Sequence, residues 1–231
     1  ITAHQLQGRA VKPLRQYRLG RVRFLTVDEE TTLRKALTAR DVDLIHGRAN
    51  ANAWRRARGY KELPELGPFG DHLTPVVLLG LNSGCRRGEL LALRWTDVDL
   101  VAARLTVRGE TAKSGRTRHI PLNAEAVAVL KDWQDQATGD LVFPGEDGET
   151  MFSLKTAWGR VLKAAAKTAP TIADFRFHDL RHTFASKLVQ AGVDLYVVKA
   201  LLGHSDFMLT ARYAHLRAED QAAAVAKLAA R

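Results

Sequence analysis

The sequence predicts a mainly helical domain that carries one small antiparallel sheet of three strands. Over most of the chain, apolar residues recur every three or four positions, which is the period of a helix with one buried face. Three short segments between residues 98 and 122 have the residue pattern and flanking turns of β-strands instead. Helices and strands do not alternate along the chain, which argues against a doubly wound parallel sheet.

The first helix is predicted to begin after Thr26 and to end near Arg40. Thr26 can cap this helix, because Glu29 stands three residues later and acidic side chains favour the positive end of the helix dipole. Residues 46–70 are rich in Gly, Pro and Asn and predict a loop, with at most a short helix around residues 51–58.

The remaining elements follow from the spacing of apolar residues and turn residues. Two helices are predicted between Thr74 and Leu93, with Ser83-Gly84 as the joint between them. Strands are predicted at Val98–Leu100, Arg104–Arg108 and Thr117–Leu122, with a hairpin tip at Gly109–Gly115. Further helices are predicted at residues 123–135, 153–168, 178–191, 194–202, 207–216 and 218–229.

Composition and charge narrow the class of protein. Hydrophobic residues make up 46% of the 231 residues, as in a globular domain with a sizeable core. No apolar run approaches the roughly 20 residues that span a bilayer, and no secretory signal begins the sequence. The single cysteine, Cys85, excludes an intrachain disulfide and favours a reducing compartment, so the cytoplasm is expected. A net charge of +10 favours a polyanionic partner, although a basic protein with no nucleic-acid role remains the alternative.

Two basic segments are candidates for contact with a nucleic-acid backbone. Residues 1–24 carry basic side chains about three apart and predict a linker or the end of a preceding domain. A second group lies beside Trp54 and Tyr60, and a solvated loop is an equally good interpretation of it. This group consists of Arg55, Arg56, Arg58 and Lys61.

The pentapeptide His178-Asp179-Leu180-Arg181-His182 has the spacing of a phosphate site. His178 and Arg181 are three residues apart, so on a helix they share a face. A titratable imidazole beside a guanidinium suits a phosphodiester oxygen. A surface helix start is one alternative, and a zinc site through His178 and His182 is another. Zinc is disfavoured because Asp179 occupies the position of the motif's glutamate and Arg181 would place a cation beside the metal.

Three other candidates are weak when each is taken alone. Arg86 or Arg87 would lie in the first turn of a helix, where a cation is unfavourable unless an anion is bound nearby. Glu89 could orient the Arg86 guanidinium, and a purely structural Arg–Glu pair explains the pattern equally well. Lys113 at a hairpin tip is typical of a solvated charge, and Tyr213 is typical of a core tyrosine or an amphipathic surface tyrosine.

In their order along the chain, four segments resemble the signature segments of tyrosine recombinases, the phage integrase family. These segments are SGCRRGELLALRWTDVD, TAKSGRTRHIPL, HDLRHTFAS and LLGHSDFMLTARYAHL. The resemblance covers about residues 22–217 and implies the DNA breaking-and-rejoining catalytic fold. Ser83 replaces the usual threonine and Arg87 stands where an apolar residue is common, but neither position is catalytic.

The resemblance implies a role for each candidate residue. Tyr213 would be the nucleophile that forms a 3′-phosphotyrosyl link, with Arg86 and Arg181 on the non-bridging phosphate oxygens. Lys113 would protonate the leaving 5′-oxygen. His178 would assist proton transfer and His204 would bond the phosphate. Neither a metal nor a nucleotide cofactor would be required. The supporting and DNA-binding positions are Glu89, Arg55, Arg56, Arg58, Lys61 and Arg116.

The resemblance also implies an organisation and partners. Residues 1–21 would be a basic linker or the remnant of an upstream DNA-clamping domain, residues 22–217 the catalytic domain, and residues 218–231 a C-terminal helix that docks in cis or in trans. The expected partners are double-stranded recombination or attachment sites, further copies of the chain in a tetrameric synapse, and accessory DNA-bending proteins. A bacterial or phage-encoded, nucleoid-associated protein is expected. A type IB topoisomerase-like enzyme and a catalytically silent DNA-binding or architectural protein are the alternatives.

Overall fold

A computed structural model describes residues 22–113, 115–145, 148–151 and 153–217. Its helices are α1 (Val27–Arg56), α2 (Leu73–Ser83), α3 (Arg87–Leu91), α4 (Ala124–Gln134), α5 (Lys155–Ala165), α6 (Asp179–Gln190), α7 (Leu195–Leu202) and α8 (Met208–Ala211). Its strands are β1 (Val98–Asp99), β2 (Arg104–Val107) and β3 (Arg118–Pro121), and 3-10 turns occur at Trp95–Asp97, Pro170–Asp174 and Ala214–Leu216. The predicted mainly helical fold with a three-stranded sheet is confirmed. No helix within the described ranges is long and apolar enough to cross a bilayer.

The sheet is antiparallel throughout and has the order β1-β2-β3. Leu105 on β2 lies opposite Ile120 on β3, and both side chains are fully buried. Along β3 the side chains alternate between the interior and solvent, as the pleat requires. This alternation points Arg118 inward with Ile120, and the β2–β3 hairpin carries Lys113 at its tip.

Helix α1 is longer than predicted, because it continues well beyond Arg40 through part of the segment expected to be a loop. Two side chains on this stretch form hydrogen bonds with residues that follow α1 in the chain. Asp41 Oδ2 accepts a hydrogen bond from Thr74 Oγ1 at 2.6 Å, and Asn52 Nδ2 donates one to the Leu63 carbonyl at 2.8 Å. These tertiary bonds stabilise a helix whose composition alone favours a turn.

The apolar side chains form two clusters. The larger cluster includes buried residues of α1, α2, α4, α5 and the sheet, and α2 packs against both α4 and α6. The smaller cluster joins α6 and α7 to the segment after α8. Its buried members are Ala185, Val189, Val198, Leu202 and Tyr213. Tyr213 is therefore positioned by the packing of α6 and α7.

The helix predicted over residues 207–216 is interrupted. Helix α8 ends at Ala211, and a 3-10 turn begins at Ala214, with Tyr213 at the junction. The Tyr213 N–H bonds to the Thr210 carbonyl at 3.0 Å, which is the tighter spacing of a 3-10 turn. This tightening accompanies the insertion of the Tyr213 ring between α6 and α7. The predicted helix at 218–229 and the basic segment at 1–21 lie outside the described residues.

We expect Leu79→Ala to lower the free energy of unfolding by about 2–5 kcal/mol. Leu79 is fully buried in the main cluster, so the truncation removes apolar contacts and leaves a cavity. Val101→Ala, at a fully exposed turn residue, should change the same free energy by less than about 0.5 kcal/mol. Urea unfolding of both variants measures the difference, and equal values would show that Leu79 does not pack as described.

Candidate active site

One cavity of about 310 Å³ lies among the β2–β3 hairpin, α6, the end of α7 and the α8 segment. It brings together all six residues that the sequence proposed as catalytic. Four of its lining side chains are basic, and none of the described residues that line it is acidic. Its lining consists of Arg86, Lys113, His178, Arg181, His182, Gly203, His204, Ser205, Leu209, Arg212 and Tyr213.

The Glu89 carboxylate holds Arg86 in place. Arg86 is the N-cap of α3, its backbone N–H donates to Glu89 Oε2 at 2.8 Å, and its Nη1 donates to Oε1 at 3.0 Å. The contact that the spacing suggested is therefore present. Arg118 binds the same carboxylate, with Nη1 and Nη2 at 3.0 and 2.6 Å from the two oxygens.

Sequence reasoning missed Arg118, although one signal could have revealed it. Arg118 and Ile120 are two residues apart on a strand, so the alternation that buries Ile120 also buries Arg118. A guanidinium on the apolar face of a strand needs a buried acceptor, because an unpaired buried charge is very unfavourable. Glu89, an acidic residue in another of the four signature segments, was available for that role.

Two arginines bind the C-terminal end of α7. Arg181 is almost completely buried and donates to the carbonyls of Gly84 and Leu202 at 2.8 and 2.6 Å. Arg118 Nε donates to the Leu201 carbonyl at 3.0 Å. Cations are favourable at a helix C-terminus, where carbonyls lack partners. These bonds fix the end of α7, two residues before His204.

Three histidines line the cavity in different arrangements. His204 Nδ1 is 2.8 Å from Thr210 Oγ1, which links the end of α7 to α8. The rings of His178 and His182 meet edge to face at 5.2 Å. His182 Nδ1 is 2.5 Å from Tyr213 Oη. From the sequence alone, His182 was a candidate only as a zinc ligand. Within the described ranges, no group of three or more His, Cys, Asp or Glu residues could hold a metal.

The electrostatics of the cavity disfavour additional positive charge. Burial and the nearby cations lower the pKa of His182 to about 4 and that of His204 to about 3. Burial and Arg181 lower the pKa of His178 as well. Burial and Arg86 lower the pKa of Arg181 to about 10. A cavity whose cations depress one another's pKa values favours the binding of an anion.

Tyr213 is almost fully buried, with 1% of its surface exposed. Burial raises the pKa of its phenol to about 12, although Arg181 and Arg212 act in the opposite direction. The phenol is therefore protonated at neutral pH, and a proton acceptor is needed before its oxygen can act as a strong nucleophile.

The remaining predicted residues lie on the β2–β3 hairpin and around the end of α1. Lys113 and Arg116 are both exposed near the hairpin tip, and only Lys113 lines the cavity. The basic group near Trp54 does not line the cavity and makes local contacts. Arg55 donates to the Lys61 carbonyl, Arg56 pairs with Glu62 at 2.6 Å, and the Arg58 guanidinium lies 4.2 Å from the centre of the Trp54 ring. DNA contact through this group and Arg116 stays a prediction.

Comparisons with known proteins agree with the resemblance. A model of the phage integrase family matches residues 64–220. Tyrosine recombinase XerC of Xanthomonas campestris pv. campestris is 37% identical over 158 residues, which are 67% of this chain and 48% of that protein. The integrase of Salmonella phage P22 is 35% identical over 157 residues, which are 62% of this chain and 39% of that protein. The chain thus spans half or less of the length of these relatives.

Solved structures share the fold. The Tn1549 transposon integrase, in complex with a circular intermediate DNA, superposes with a TM-score of 0.66 at 19% identity, covering 90% of this chain and 66% of that one. The catalytic domain of bacteriophage HP1 integrase superposes with a TM-score of 0.57 at 20% identity, covering 89% of this chain and 94% of that one.

We expect Arg118→Ala to lower the free energy of unfolding by about 3–5 kcal/mol, because it leaves the buried Glu89 carboxylate without its main partner. Arg104→Ala is the matched control on β2, where the pair with Asp99 is half exposed and 3.7 Å long. That control should lose less than about 1 kcal/mol. Denaturant unfolding gives both values, and a similar small loss for the two variants would contradict the buried-pair assignment.

Proposed function

Because this chain belongs to the phage integrase family, we propose that it is a site-specific DNA recombinase that cuts and rejoins strands through a phosphotyrosyl link to Tyr213. One observation carries the proposal. Six side chains from distant segments, all suited to phosphodiester chemistry, line a single cationic cavity. They are Arg86, Lys113, His178, Arg181, His204 and Tyr213.

The arginines supply the electrostatic part of the reaction. Negative charge builds on the non-bridging oxygens as the phosphorus becomes five-coordinate, and Arg86 and Arg181 stabilise that charge. Both guanidiniums are already oriented, Arg86 by Glu89 and Arg181 by two backbone carbonyls. Pre-oriented donors avoid reorganisation during the reaction, and the loss of one typically lowers the rate by roughly 10²–10³-fold. His204, bonded to Thr210, adds a hydrogen bond to the phosphate.

The covalent step exchanges one phosphodiester for another. Tyr213 Oη attacks the phosphorus, the bond to the 5′-oxygen breaks, and Lys113 supplies the proton that this oxygen takes up. The product is a 3′-phosphotyrosyl link and a free 5′-hydroxyl. The 5′-hydroxyl of a second strand then attacks the link and releases Tyr213. The covalent intermediate conserves the energy of the broken bond.

The proposed partner is double-stranded DNA at a recombination or attachment site. The net charge of +10 supports it, since neutralised phosphates release counterions. Two relatives support it by analogy, because the Tn1549 transposon integrase and the XerH recombinase are bound to DNA in their solved structures. We further propose that the chain assembles as a tetramer on two sites, works with accessory DNA-bending proteins, and acts at the bacterial nucleoid in the cytoplasm.

We predict that the wild-type protein forms a covalent adduct with DNA and that Tyr213→Phe forms none, because the variant lacks the attacking oxygen. Randomised duplexes are incubated with the protein, and the DNA that survives denaturing washes is sequenced to find the site. A nicked duplex of that sequence then traps the adduct for a gel assay. Tyr196→Phe, at an exposed tyrosine on α7, is the matched control and should react as wild type does.

The same assay separates the alternatives. Relaxation of supercoiled plasmid that lacks the recovered sequence would indicate a topoisomerase-like enzyme. Site-specific binding with no adduct from the wild-type protein would indicate a DNA-binding protein without catalysis. An adduct that persists in Tyr213→Phe would show that another residue is the nucleophile.

We also propose that residues 218–231 dock on a neighbouring protomer, as their Ala-rich composition favours a helix. Deletion of this segment should weaken the paired-site complex by roughly tenfold or more, which corresponds to about 1.4 kcal/mol, and should leave single-site binding nearly unchanged. Gel mobility shifts with one and two sites measure both affinities. An equal loss of both would place the segment on its own domain.

A further inference from the structure

We propose that the His182 imidazole is a catalytic base, which takes the phenolic proton of Tyr213 as the Tyr213 Oη–phosphorus bond forms. This inference rests on the proposed function and adds a residue to its machinery. The family resemblance implied proton transfer by His178, but in the structure the hydrogen bond to the phenol is made by His182.

The contact is short and its two partners are held from separate elements. His182 Nδ1 lies 2.5 Å from Tyr213 Oη, and the two rings are 5.8 Å apart. His182 is on α6, one turn after His178, whereas Tyr213 follows α8 and is fully buried against α6 and α7. The Tyr213 N–H also bonds to the Thr210 carbonyl, and Thr210 contacts His204. Contacts of the Tyr213 ring, backbone N–H and phenolic oxygen therefore all fix the position of this residue.

The protonation states suit a transfer in this direction. Burial, His178 and two arginines lower the pKa of His182 to about 4, so its ring is neutral at neutral pH and keeps a free lone pair. Burial raises the pKa of Tyr213 to about 12, so the phenol still carries its proton. A bound phosphodiester adds negative charge to the cavity, which favours the imidazolium and raises the pKa of His182 towards a useful value.

The step balances without any added reactant. The Tyr213 O–H bond breaks and its proton passes to His182 Nδ1, while an Oη electron pair forms the bond to phosphorus. The bond from phosphorus to the 5′-oxygen breaks, and that oxygen takes a proton from Lys113. In the rejoining step the attacking 5′-hydroxyl gives its proton back to Lys113, and the imidazolium returns its proton to the departing Tyr213 oxygen. With His182 as the base, His178 is free to contact the phosphate instead.

His182→Asn tests the base directly. The asparagine amide can occupy the region of ring atom Nδ1 and accept a hydrogen bond, but it cannot hold the transferred proton. We expect it to slow adduct formation on the nicked duplex by roughly 10²-fold or more. His119→Asn makes the same change at an exposed position on β3 and should react at the wild-type rate. Formation of the adduct by His182→Asn at the wild-type rate would overturn the inference.

A second substrate tests whether His182 acts only through the phenol. DNA that ends in a 3′-p-nitrophenyl phosphate can be joined to a 5′-hydroxyl strand without Tyr213, and its leaving phenolate needs no proton. In a Tyr213→Phe background, adding His182→Asn should leave this joining rate unchanged, whereas adding Arg181→Lys should reduce it. A reduction by His182→Asn would mean that His182 acts on the phosphate, and the inference would fail.

A third measurement needs no variant. In wild-type protein labelled with ¹⁵N at histidine, the ring shifts should show His182 Nδ1 unprotonated and Nε2 protonated. A proton on Nδ1 would make the ring a donor to Tyr213 and would overturn the inference.

Failure of the base assignment can be distinguished from failure of the proposed function. A wild-type adduct at Tyr213 with no effect of His182→Asn removes only the base, and absence of the adduct removes the proposed function as well.

Discussion

The buried carboxylate of Glu89 is the interaction on which the site depends. It accepts hydrogen bonds from Arg86 and Arg118, and Arg118 in turn bonds to the end of α7 through the Leu201 carbonyl. One acidic group therefore connects the start of α3, the hairpin strand and the helix that precedes His204. Both Glu89 and Arg118 are buried, so loss of either leaves an uncompensated charge away from water.

This arrangement explains why a strongly cationic cavity is tolerated. Glu89 lies behind the cavity and neutralises part of the charge, while the lining itself presents arginines, a lysine and neutral histidines. Burial, together with the remaining repulsion between cations, lowers the pKa values of His182, His204 and Arg181. The proposed phosphodiester substrate would relieve that repulsion on binding. Burial and the same repulsion lower the pKa of His182 and keep its ring neutral beside Tyr213, which is the condition for accepting a proton.

Each of the two apolar clusters positions a different part of the candidate site. The larger cluster holds α2, α4 and the sheet, and so fixes the arginines and the hairpin. The smaller cluster holds Tyr213, the proposed nucleophile, between α6 and α7. Because α6 contacts both α2 and α7, the packing of α6 against the main core also sets the position of Tyr213. Helix α6 also carries Arg181 and His182, and His178 is its N-cap, so these proposed phosphate-binding groups and the contact to the phenol share one rigid element.

The sequence by itself determined the mainly helical class, the three-stranded sheet and the six candidate catalytic residues, because these depend on local periodicity, turn residues and recognisable segments. Only the tertiary structure decided that Arg118 pairs with Glu89 and that His182 bonds to Tyr213. The partners in these pairs are 29 and 31 residues apart along the chain. Tertiary contact also extended α1, through Asp41 and Asn52, and interrupted the helix at Tyr213. The physical reason is the same each time. Local pattern fixes which face of an element is apolar, whereas the partner of a buried polar group is set by which elements pack together.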